Sequence, residues 1–72
     1  MMEYIYKMFK DAGYETWPLF DSNRVLVDDL ELVFVEDTIF VNRISAKKEL
    51  LQIRNMSVGS TLRIIQAALA EK

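Results

Sequence analysis

A chain of 72 residues with no Cys and no His excludes disulfide staples, thiolate or imidazole metal sites, and the usual general base of hydrolytic enzymes. Its 51% apolar content, with only two Gly and one Pro, is a large share for so short a chain to bury alone, which points to self-association or a protein partner. The net charge of −2 conceals an asymmetry: residues 21–40 carry six acids against Arg24, and residues 41–72 carry six bases against Glu49 and Glu71.

Met2–Ala12 reads as a helix with Ile5, Met8, Phe9 and Ala12 on one stripe and Gly13 at its C-terminal stop. Its interspersed charges and the lack of an apolar core run exclude a signal peptide. Tyr14–Phe20 is extended, and Pro18 confines it to a sheet edge or an arm, because proline cannot donate to a ladder. Asp21-Ser22-Asn23 is a turn, Arg24–Val27 a short strand, and Asp28-Asp29 a turn or a bulge.

The chain is organised around Val25–Val41, which is β-branched and aromatic. Its period-two pattern predicts a hairpin turning at Glu36-Asp37, with Asp37 at positive φ. Phe34 then faces Ile39, Val33 faces Phe40, and Leu32 faces Val41. One face (Leu30, Leu32, Phe34, Ile39, Val41) is wholly apolar, and the other mixes Val33, Val35 and Phe40 with Glu31, Thr38 and Asn42. The first needs cover and the second needs company.

Ser45–Asn55 supports two readings. Helix propensity across AKKELLQIR favours a helix capped by Ser45; the rival is a turn at Ala46–Lys48 and a strand over Leu50–Met56. Ser57 or Ser60 caps a final helix reaching about Glu71, with Leu62, Ile65 and Leu69 inward and Ile64 and Ala68 alongside. The expected fold is therefore α+β and a single domain over 1–72: an N-terminal helix, a three- or four-stranded antiparallel β-meander, and one or two C-terminal helices. No run of 18 apolar residues is present to span a membrane, and the absence of Cys accords with a cytoplasmic protein.

No motif specifies a reaction, so no catalytic residue, cofactor or metal is assigned. Asp28, Asp29, Glu31, Glu36 and Asp37 are the right chemistry for a hard cation, and Asp29 and Glu31 are expected on one strand face as in a metal-dependent hydrolase. The lysine that a PD-(D/E)xK nuclease needs after Glu31 is absent. Val58-Gly59-Ser60-Thr61 opens a helix near Arg54 and Arg63 but lacks P-loop spacing. Two binding readings follow. Tyr4, Tyr6, Tyr14 and Trp17, with Val33, Val35 and Phe40, form an apolar and aromatic set suited to docking on a second copy, as a homo-oligomer, or on a protein target, in a regulator, inhibitor or accessory subunit. The alternative is a dimeric nucleic-acid binder using Arg43, Lys47, Lys48, Arg54 and Arg63.

Overall fold

The computed structural model describes residues 1–71. Helix α1 (Met2–Asp11) leads into β1 (Thr16–Leu19) and a 3₁₀ turn (Phe20–Ser22). Strands β2 (Arg24–Val27), β3 (Leu30–Val35), β4 (Thr38–Arg43) and β5 (Lys48–Arg54) follow, and α2 (Val58–Ala70) closes the chain. The strands form one antiparallel sheet in the order β1-β2-β3-β4-β5, an uninterrupted meander. The α+β class stands, with five strands where three or four were expected and one helix after them. No helix among the described residues is long and apolar enough to cross a membrane.

The central hairpin has the expected register, with Leu32 opposite Val41, Val33 opposite Phe40, and Phe34 opposite Ile39. Positive φ falls on Glu36 (54°) and not on Asp37 as expected. Asn23 (φ 57°) and Asp28 (φ 50°) turn the two preceding hairpins in the same way, and short polar side chains tolerate that region best.

The fifth strand corrects the helix favoured over Ser45–Asn55. Residues 44–47 turn instead, with Lys47 at φ 49°, and the strand begins at Lys48 rather than at Leu50. As a strand the segment sets Ile53 opposite Ile39 and Leu51 opposite Val41, and it completes the ladder of β4, whose edge would otherwise lie bare. Pairing to a half-buried apolar edge outweighs helix propensity, which is a few tenths of a kcal/mol per residue. A bulge opposite Val41 and Asn42 leaves Leu50 without a partner, so Leu50 and Leu51 both lean on the core.

All fully buried strand residues share one face: Val25, Val27, Leu30, Leu32, Ile39, Val41 and Ile53. They pack against Ile5 and Phe9 of α1 and Ile65 and Ala68 of α2, so both helices cover that face. The α1 stripe is rotated from expectation. Met2 and Tyr6 flank Ile5 and Phe9, while Met8 is 40% exposed and Ala12 is exposed. The Tyr6 ring meets Phe20 edge-on at 5.5 Å, a contact that apolar periodicity alone does not register. On α2 the buried positions are Thr61, Ile65 and Ala68, with Leu62, Ile64 and Leu69 half-buried around them. Ser57 is the cap, accepting from the Ser60 amide at 3.2 Å.

Two polar clips fix the layers. Arg43 donates through Nη2 to the Ala68 carbonyl at 3.1 Å, tying the last turns of α2 to β4. Asp29 accepts from the Ser45 amide (3.0 Å) and the Ser45 hydroxyl, and its carbonyl accepts from the Ile44 amide (2.8 Å), locking the β2–β3 turn to the β4–β5 turn.

Glycine relieves the left-handed backbone of an exposed turn residue. Glu36→Gly is therefore expected to raise stability by roughly 0.5–1 kcal/mol, read as a higher urea midpoint at unchanged slope.

Candidate functional site

The outward face of the sheet is covered by neither helix. Cross-strand register arranges its side chains in three rows. Trp17, Leu26, Glu31, Asn42 and Glu49 form the first. Leu19, Arg24, Val33, Phe40 and Gln52 form the second, and Val35, Thr38 and Arg54 the third. Trp17 is 64% exposed and Val35 46%, whereas Leu19, Leu26, Val33 and Phe40 are half-buried only by their neighbours in the sheet. A tryptophan this open on a flat apolar surface is the strongest unsatisfied feature of the fold.

A polar triad interrupts the surface. Arg24 donates through Nη1 to Glu31 Oε2 at 2.7 Å, and Asn42 donates through Nδ2 to Glu31 Oε1 at 3.0 Å. The Asn42 amide and then the Arg24 guanidinium hold the Glu31 carboxyl below its ordinary value of 4.5, against a smaller opposing effect of burial. Beside the triad, a shallow depression of about 460 Å³ runs past Leu19 and Leu26 toward Ile44, Lys47 and Glu49.

The sequence-derived interface set divides. Trp17, Val33, Val35 and Phe40 share the outward face. Tyr6 and Tyr14 lean on the core, Tyr6 against Phe20 and Tyr14 edge-on to Phe9 at 5.6 Å. Tyr4 is exposed on α1, over the other side of the sheet. Leu19 and Leu26 belong to the face and were not singled out from sequence. Leu26 was legible in the alternation of Arg24–Val27, while Leu19 required the pairing of β1 with β2.

The basic set is dispersed. Arg43 reaches inward to α2 and lies 3.9 Å from Asp29, and Lys47 and Lys48 are at the β4–β5 turn. Arg54 is at the other end of β5, donating to Gln52 Oε1 at 2.7 Å, and Arg63 lies on α2 within reach of the Ser60 hydroxyl at 3.3 Å. No continuous basic track joins these five. The acids are dispersed too: Asp28 accepts from the Glu15 amide at 3.1 Å, Asp29 binds Ser45, Glu31 sits in the triad, and Glu36 and Asp37 form the far turn. Asp29 belongs to a turn and does not share a strand face with Glu31 as expected. Among the described residues no three His, Cys, Asp or Glu side chains gather in a metal-holding group. Ser57 and Ser60 are engaged in capping α2, which is the role of the Val58–Thr61 segment.

Comparison with protein-family models, with curated proteins and with solved structures gave no match.

A carboxylate held low stabilises the fold above its ordinary value and loses that contribution as pH falls through its folded value. Glu31→Gln is therefore expected to cost about 0.5–1 kcal/mol at pH 7 and less at pH 3, measured by urea unfolding at both. An equal loss at the two pH values contradicts the ion pairing.

Proposed function

We propose that this chain is a small non-catalytic protein-interaction module, in the manner of a regulator, inhibitor or accessory subunit, which docks the outward face of its sheet on a protein surface. The observation that carries this reading is the uncovered face bearing Trp17, Leu26, Val33, Val35 and Phe40. Apolar surface left open costs about 25 cal/mol per Å² relative to burial, so covering it favours association. Tryptophan is a common anchor of binding energy, and Trp17 stands open on the edge strand of this surface.

The chemistry of the chain supports binding over turnover. It has no His or Cys for proton transfer or covalent catalysis. Its strand-borne carboxylate Glu31 is tied to Arg24 and Asn42, and Asp29 to Ser45. Nucleic acid is the less favoured partner, because the outward face sets Arg24 and Arg54 against Glu31 and Glu49 and so offers no surplus of positive charge.

The test is site-specific photocrosslinking in the cell that makes the protein, with benzoylphenylalanine at position 17 on the sheet face and at position 67 on the exposed side of α2. Protein adducts are expected from position 17 and not from position 67. Equal labelling from both positions, or adducts from position 17 that are nuclease-sensitive, overturns the proposal.

A further inference from the structure

We infer that the occupant of this face is a second copy of the chain, stacked sheet to sheet about a twofold axis running across the strands along the Leu19–Arg24–Val33–Phe40–Gln52 row. This rests on the docking reading above and names its partner. Four features point to it.

Charge is the first. Glu49 and Arg54 project from β5 on the outward side, one row to either side of Gln52. Neither makes an ion pair among the described residues; Gln52 links them, donating to Glu49 Oε2 at 3.2 Å and accepting from Arg54. A twofold axis along the Gln52 row exchanges the two flanking rows. It places Arg54 of each copy over Glu49 of the other, twice per dimer, as an isologous contact requires. Arg24 meets its own symmetry mate on the axis, with its charge already compensated by Glu31 at 2.7 Å.

Shape is the second. The same operation lays Val33 and Phe40 on their own counterparts and sets Val35 over Glu31, whose carboxylate keeps its hydrogen bonds to Arg24 and Asn42. It carries Trp17 toward the far end of the other copy's β1, past Leu19.

The edges are the third. β1 is four residues long and contains Pro18, and β5 carries a bulge with Lys48, Glu49 and Arg54. These features blunt strand addition at both ends of the sheet and leave the face as the route of association.

Area is the fourth, and it sets the strength. Five strands about 4.8 Å apart, averaging about five residues at about 3.3 Å, cover on the order of 400 Å² in plan. Two such faces fall below the roughly 1,200 Å² that separates transient from standard interfaces, so the dimer is weak and reversible.

Sedimentation equilibrium of the whole chain from about 10 µM to about 1 mM tests this. A monomer–dimer equilibrium with Kd on the order of 10–100 µM is expected. Glu49→Arg and Arg54→Glu should each weaken it about tenfold or more, and the double charge swap should restore it. Both substitutions lie on exposed positions, and circular dichroism verifies the folding of all three variants. A monomer at about 1 mM, single reversals without effect, or a swap that fails to restore association overturns the inference. Crosslinks from position 17 to a different protein, with the chain itself monomeric, overturn this inference and leave the docking reading intact; no protein adduct at all removes both.

Discussion

A sheet has two faces, and this chain has two helices with which to cover them. Both lie on the same side, because the apolar alternation of β2, β3 and β4 loads that side with Val25, Val27, Leu30, Leu32, Ile39 and Val41. Spreading the helices over the two faces would leave half of those residues wet, and burying each is worth about 1.5–3 kcal/mol. The opposite face is therefore exposed as a consequence of how the core is satisfied. It need not have been selected as an open surface to be one.

The same economy explains the polar contacts. In so small a core, helix placement cannot rest on packing alone, and α2 offers mostly short contacts through Thr61, Ile65 and Ala68. Arg43 supplies the missing constraint by crossing from β4 to the Ala68 carbonyl. Asp29 does the same for the sheet, binding Ser45 and so holding one end of four consecutive strands together. Between the basic C-terminal stretch and the acidic one before it, Arg43 and Asp29 form the ion pair among the described residues, at 3.9 Å. A meander folds 21–40 onto 41–54, so charge that is segregated along the chain becomes interleaved in space.

Legibility from sequence followed this division between local and non-local constraint. The central hairpin was readable because its register is set by a two-residue turn and by alternation along the two strands that flank it, Leu30–Val35 and Thr38–Arg43. The edge position of β1 was readable from Pro18 alone. The Lys48–Arg54 strand was obscured because its residues are good helix formers, and only the bare edge of β4 tips the balance. Tyr6 and Tyr14 were ambiguous for a different reason. Tyrosine serves a core or an interface equally well, and its choice depends on whether Phe20 and Phe9 stand beside it. Of the outward face, the Val33, Val35 and Phe40 portion was visible in the hairpin, while its extension through Leu26 to Trp17 and Leu19 depended on how β1 and β2 join.

The triad of Arg24, Glu31 and Asn42 sets charge and hydrogen bonding in the middle of that face. An unpaired charge there would make covering the face costly, since desolvating an ion costs several kcal/mol. Glu31 instead accepts from both neighbours before any partner arrives. Much of the cost of removing it from water is thus offset within the free chain. Yet the triad still penalises any partner that stacks hydrocarbon over it out of register, because a displaced guanidinium or carboxylate would then be left dry and unmatched. A face built this way keeps its charges hydrogen-bonded while open, and any cover that preserved those bonds would meet the smaller desolvation cost.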